Sequence, residues 1–294
     1  MGKKGKKSKK AQEGKQKKLT PKDIGKRLDA LVKKLEEELK GADLFAPLPP
    51  MEDCAICCIR MPRRNDRSFY QACCGKIICA GCYKENEEFV EKQNEQKKKP
   101  TILTCPFCRA PAPFSEEYVR RLEARASQND PNALHCLASV YLNGDGVPKD
   151  ELRGLDFYIR AIEHGSAAAC NRIAYHYHTA LMLPVNKNRC DIFQRVGALR
   201  GCIIARHCIG VDEYNSGNHE VGIRHWKVAA EAGCQISLDA LKKIFNADGK
   251  RPGKMFISKD YMDRVYRACH EAQEEVKSEE REKHRIDVDD EFKC

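Results

Sequence analysis

The sequence of 294 residues has no apolar run approaching the roughly 18 residues that a membrane span needs. A transmembrane segment and a membrane partner are therefore not expected. Residues 1–18, MGKKGKKSKKAQEGKQKK, have no apolar stretch behind their positive charges, which excludes a secretory signal there. Lys6 stands where an acceptor motif for myristoylation wants serine or threonine. Aromatic residues are sparse at 7%, with Trp226 the one tryptophan, and none falls in the lysine-rich start, so base stacking is not suggested there. These absences point to a cytoplasmic or nuclear protein. A chain with 41% hydrophobic and 33% charged residues suits several small modules better than one large core.

What is present is unevenly placed. Residues 1–18 hold nine lysines against one glutamate, which is +8 of the net +10. The expectation over 1–19 is a disordered, solvated tail that serves as a nuclear import signal or a salt-sensitive phosphate binder, with nucleic acid as a candidate partner. Over 20–41 an amphipathic helix is predicted. Thr20 is its N-cap, Pro21 its first residue and Asp23 an acid in its first turn; Ile24, Leu28, Leu31, Leu35 and Leu39 recur at threes and fours, and Gly41 closes it. Its apolar stripe either packs on the rest of this chain or pairs with a second copy. Residues 42–53, ending in APLPPMED, read as a proline-rich linker.

Seventeen cysteines in a reducing compartment argue for metal or burial rather than disulfides. Nine of them fall between Cys54 and Cys108. The order is Cys54-x-x-Cys57, fifteen residues, Cys73-Cys74, four residues, Cys79-x-x-Cys82, twenty-two residues, Cys105-x-x-Cys108. Each CxxC turn fills half a tetrahedron, so eight thiols suit two structural zinc ions. No histidine lies between Asp53 and Phe114, so such a site must be all cysteine. Cys58 is a ninth thiol, read as a small buried hydrophobe. Adjacent side chains tend to diverge, which singles out Cys73 as the weakest candidate ligand.

The segment DCAICC…QACCGKIICAGC…LTCPFCRAP resembles a RING finger of the variant with cysteine in place of the usual histidine. The resemblance implies an α+β finger over 54–112 with interleaved pairs. Cys54, Cys57, Cys79 and Cys82 would hold one zinc, and Cys73, Cys74, Cys105 and Cys108 the other. It also implies a ubiquitin ligase without a nucleophile of its own, and so no catalytic residue in the strict sense. A ubiquitin-conjugating enzyme would dock on Ile56, Pro106 and Phe107, and Arg109 would match the arginine that bridges ubiquitin and that enzyme, a task for a fixed fork of donors. The touching pair Cys73-Cys74 departs from the family pattern. So does YKENEEFVEKQNEQKKK, which lacks the tryptophan that many active members carry on the following helix.

Residues 130–245 repeat. FYIRAIEHG, FQRVGALRG and HWKVAAEAG end in glycines 165, 201 and 233, and small or apolar ladders surround them: Ala133, Leu137, Tyr141; Ala169, Ile173, Tyr177; Ala205, Ile209, Glu213; Ser237, Leu241, Phe245. Each unit is then a helix, a turn and a second helix. The unit LASVYLNGDGVPKDELRGLDFYIRAIEHG resembles the Sel-one-like repeat, a relative of the tetratricopeptide repeat, and implies an array that binds a protein client. His176 and His178 are two apart and face different sides of a helix, so no metal site is expected there. NADGKRPGK lacks the glutamate that closes a calcium loop. In 246–294, Ser258 caps a last helix bearing Tyr261, Met262, Val265, Tyr266 and Cys269, which fades into a charged end. From about Thr20 to Glu280 the order of parts is similar to a family of RING proteins with Sel-one-like repeats. The expected fold is mainly α: a small zinc-stabilised α+β finger followed by an α-helical repeat array, an α-solenoid. The rival to a ligase is a non-catalytic scaffold with structural zinc.

Overall fold

The structure, a computed structural model, describes residues 19–63, 68–97, 102–247 and 252–276. The lysine-rich start, four residues of the NADGKRPGK stretch and the charged end past 276 lie outside the described residues. No helix among those described is long and apolar enough to cross a membrane.

Helix α1 (Pro21–Leu39) begins with a reciprocal capping box: the Thr20 side chain accepts from the Asp23 N–H and the Asp23 carboxylate accepts from the Thr20 N–H. Its stripe of Ile24, Leu28, Leu31 and Leu35, with Val32 added, is buried within this chain rather than against a second copy. A two-stranded antiparallel sheet follows, β1 (Ser68–Tyr70) and β2 (Ile77–Cys79), with Phe69 opposite Ile78. The chain then runs through α2 (Ala80–Lys97) and α3 (Ser115–Ala126).

Seven helices make the second half: α4 (Pro131–Asn143), α5 (Glu151–Glu163), α6 (Ala167–Thr179), α7 (Lys187–Leu199), α8 (Ile203–Asn215), α9 (His219–Glu231) and α10 (Gln235–Phe245). They pair as α4 with α5, α6 with α7 and α8 with α9, the helix-turn-helix units that the periodicity predicts. Gly165, Gly201 and Gly233 all lie in left-handed backbone, at φ of 93°, 97° and 88°. That conformation ends each second helix and starts the next unit, and only glycine adopts it freely. The ladder positions are buried at ten of twelve places; Glu213 and Phe245 are half-buried, and Glu213 answers Arg195 in an ion pair of 2.9 Å. Tyr141 stacks near Phe157 and Tyr177 near Phe193, so aromatics fill corresponding gaps in two successive units. A short 3-10 turn (Lys254–Phe256) leads to α11 (Lys259–Glu274), capped by Ser258 and packed on α9 and α10 through Met262, Val265 and Cys269. Tyr266, expected on the same face, is exposed.

Two features depart from the expectations. Residues 113–129, which lie between the expected finger and repeats, contain α3, which buries Val119, Leu122 and Ala126 against α4. The stretch 42–53 is a packed strap and not a free linker. Arg206 donates to the Leu44 carbonyl, the Arg224 guanidinium lies 4.0 Å from the Phe45 ring centre, and Leu48 packs with Ile203, Ala229 and Cys234. Together with α1, which lies on α5 and α7, it runs along the second helices of all three units.

Candidate metal centre

Local backbone chemistry builds two matching turns. In the first, the Cys58 N–H donates to the Cys54 carbonyl and the Cys54 N–H to Ile59; in the second, Arg109 N–H donates to Cys105 and Cys105 N–H to Ala110. Single bridges flank them, Asp53 with Arg60 and Thr104 with Pro111. Each turn brings its own CxxC sulfurs together at the end of a narrow loop. The residue after the second cysteine takes a left-handed conformation in both, Cys58 at φ 57° and Arg109 at φ 63°. Cys58 is exposed and belongs to neither sulfur group, so it is a turn residue and not the buried hydrophobe expected of it.

The sulfurs gather in two fours, Cys54, Cys57, Cys79, Cys82 and Cys73, Cys74, Cys105, Cys108, all within 4.8 Å of one another in each group. This is the interleaved arrangement. The separations include 3.9 Å for Cys54–Cys82, 4.0 Å for Cys57–Cys79 and 3.9 Å for Cys74–Cys105. Four sulfurs tetrahedral about one zinc at about 2.3 Å stand roughly 3.8 Å apart, so the spacing fits that ion. Cys73 lies 3.4 Å from Cys108, within its group despite its adjacency to Cys74.

The donor chemistry fits as well. Burial pushes the Cys82 thiol up to about 12 and raises Cys73 and Cys74, whereas hydrogen bonding from Cys79 holds Cys54 down to about 3. Four such sulfurs shed all their protons together only against a divalent cation. Backbone N–H groups aim at sulfur, Cys79 N–H to Cys54 and Cys82 N–H to Cys79 at 3.4 Å each, which favours thiolate. Two groups of four cysteines able to hold metal ions are thus in place.

Of the surface residues implied by the resemblance, Ile56, Phe107 and Arg109 stand exposed on the two turns. Pro106 is half-buried and helps to line a cleft of about 290 Å³ shared with Tyr70, Tyr83, Asn86 and Tyr118. Lys76 Nζ sits 5.6 Å from the Phe107 ring centre. His176 is buried and His178 exposed, and neither belongs to a possible metal group among the described residues. No motif marks Arg125, which reaches from α3 to the loop that carries Cys73 and Cys74.

Comparison with known proteins speaks to the second half. The Sel1 repeat model matches residues 131–166 and 167–190. Within the helical half, residues 131–190 thus match Sel1 repeats. The match does not extend over the cysteine-rich segment. Similar solved structures include a Sel1 repeat protein from Oxalobacter formigenes, 26% identical with a TM-score of 0.45, covering 53% of this chain and 64% of that one. Another is a protective antigen of uropathogenic Escherichia coli with an SLR fold, 20% identical with a TM-score of 0.44, covering 66% of this chain and 40% of that one. The chain spans less than two thirds of the length of either. No curated protein matches it. Stacked repeats of this class are protein-interaction scaffolds.

Proposed function

We propose that the protein is a RING-type adaptor of ubiquitin transfer. Two structural zinc ions would be held by Cys54, Cys57, Cys79 and Cys82 and by Cys73, Cys74, Cys105 and Cys108. The surface of Ile56, Pro106, Phe107 and Arg109 would receive a ubiquitin-conjugating enzyme, and the repeats a client whose lysines accept ubiquitin. The chain then acts by holding two partners at a fixed separation, with no nucleophile of its own.

One observation carries the reading: two matching turns, each closing on four sulfurs, present a large apolar side chain to water, Ile56 39% and Phe107 46% exposed. A metal-braced loop keeps such residues out of the core, and exposed apolar groups on a rigid support suit a docking surface. Reconstitution with ubiquitin, activating enzyme and a panel of conjugating enzymes tests it. Wild type is expected to build chains, and Ile56→Ala and Arg109→Ala to lose them while keeping two zinc ions by native mass spectrometry.

The second reading, a non-catalytic scaffold, is favoured by α2, which has no tryptophan and instead leaves Phe89 61% exposed. Silence across the whole panel with both ions bound selects it. The lysine-rich start as a nucleic-acid binder is a third reading. It is eliminated if deleting residues 1–18 leaves affinity for RNA unchanged at low salt.

A further inference from the structure

Consecutive side chains in extended backbone point to opposite sides, yet the sulfurs of Cys73 and Cys74 belong to one group. The loop meets this by coiling tightly. The N–H groups of Cys74 and Gly75 both donate to the Gln71 carbonyl, at 3.2 and 2.7 Å, the Gln71 N–H donates to Lys76 at 2.8 Å, and Gly75 turns left-handed at φ 72°.

The carbonyls at the head of this coil are gripped from outside the finger. Arg125 of α3 donates through Nε to the Ala72 carbonyl at 3.0 Å and through Nη2 to that of Cys73 at 3.4 Å. Its guanidinium lies so close to Gly75 that a Cβ there would fall 2.3 Å from Nη1. Ala72 is buried in the core that the repeats share. Arg125 Nη1 also sits 3.8 Å from Asp130, which accepts a hydrogen bond from the Tyr70 hydroxyl at 2.5 Å and caps α4 through the N–H groups of Asn132 and Ala133.

Resting on the zinc reading above, we propose that Arg125, a residue of α3 outside the finger, is a positioning residue for the second metal group. Its planar fork fixes the two peptide units ahead of Cys73 and Cys74 so that both sulfurs face one ion. Its positive charge also complements four thiolates around one divalent cation, a centre of formal charge about −2. Both groups have backbone N–H donors of their own, Cys79 and Cys82 in the first and Lys76 and Ala110 in the second, but the carbonyls that Arg125 grips belong to the loop of the second. The two ions should therefore respond differently to a change at Arg125.

The test is zinc transfer from the full-length protein to a chromophoric chelator, with Trp226 fluorescence following the repeats. In Arg125→Ala one ion is expected to leave roughly ten- to a hundred-fold faster than in wild type, as for loss of other partners that orient metal ligands. The other should keep its wild-type rate, and the Trp226 signal should stay unchanged. Arg125→Lys keeps the charge without the fork and should fall between. Altered cobalt-thiolate absorption at one site only would supply an independent signature in the same variants. Wild-type release of both ions from Arg125→Ala overturns the role of Arg125 and leaves the zinc reading standing; so does equal acceleration of both. A wild-type chain that binds no zinc removes the zinc reading and this inference together.

Discussion

Cys58 and Arg109 occupy equivalent places in the two metal-binding turns, each in left-handed backbone that a side chain with a Cβ adopts at a cost of about 1 kcal/mol. In the third ligand loop the corresponding place after Cys74 is Gly75. Glycine is therefore compatible with the turn geometry at 58, where the side chain is exposed and lies outside both sulfur groups. Cys58→Gly is expected to retain both zinc ions by native mass spectrometry. Alkylation of the loaded protein should then lose the fastest-reacting thiol of the finger. A drop to one ion would make Cys58 a ligand. Arg109 differs, because the reading above asks its side chain to do something, so Arg109→Gly should keep zinc and lose ubiquitin transfer.

Buried histidines set a second residue-scale expectation. His176, His207 and His225 are each held down to about 4 by burial, against about 6.5 for an unfolded chain. The His207 Nδ1 lies 2.9 Å from the Ser237 hydroxyl, while Nδ1 of His176 and of His225 are buried with no partner among the described residues. Above about pH 6.5 neither state carries these protons. As the pH falls from about 6.5 towards 4, the unfolded chain takes up protons that the folded array refuses, so stability present at neutral pH drains away over that window. Trp226 is buried and its Nε1 donates to the His207 carbonyl at 3.1 Å, so its fluorescence reports this region. The melting temperature followed at Trp226 should fall between pH 7 and 4.5. A flat profile would mean that these imidazoles titrate normally in the fold.

At the scale of elements, α1 and the ladders of the repeats were legible because a helix facing a core writes its burial into the sequence every three or four residues. Glu213 broke the third ladder, and the structure shows its charge answered by Arg195. Two elements left weaker traces. Helix α3 has only Val119, Leu122 and Ala126 as an apolar stripe in a run dense with charge. The strap at 42–53 advertises its prolines, but where it lies depends on Arg206, 162 residues beyond Leu44 in the chain. The pairing of the cysteines was legible through family resemblance, since spacing alone left the partners of each CxxC open. Arg206 itself is 1% exposed, donates to the Leu44 carbonyl and, at 3.0 Å, to Ala198, and has no ion pair within 4 Å among the described residues, although the Asp43 carboxylate acts on its charge. Arg206→Leu would take the side-chain donor from the Leu44 carbonyl, while Ala198 keeps the Gly201 N–H at 3.1 Å, and would relieve a buried charge, a net loss of about 1–3 kcal/mol. Hydrogen exchange should quicken over residues 43–49 and stay unchanged in α4. Equal protection of the strap in both proteins would show that Phe45 and Leu48 hold it unaided.

At the scale of the whole molecule, the finger and the array share packing. Ala72 belongs to the repeat core, Tyr70 packs against it, and ion pairs tie α1 to two helices, α5 through Arg27 to Asp156 and Glu163, and α7 through Asp29 to Arg189 and Glu38 to Arg200 at its C-cap. A conjugating enzyme on the finger and a client on the repeats would then be held in a set relation. The finger's own apolar core is small, centred on Cys54, Met61, Ile78 and Cys79, two of which are candidate ligands. Structural zinc supplies on the order of 10 kcal/mol per site, more than such a core provides. A strong chelator at neutral pH is therefore expected to release protection throughout 54–112. Because Asp130 both caps α4 and accepts from Tyr70, the loss should spread into α3 and the first turn of α4, then stop. Helices α6 to α10 keep their protection, since their cores contain none of the eight sulfurs. Hydrogen exchange read by mass spectrometry decides the matter: a finger still protected after verified loss of zinc would mean that packing against α3 suffices, and collapse of the whole array would mean that the metal centre supports far more of the chain than its own loops.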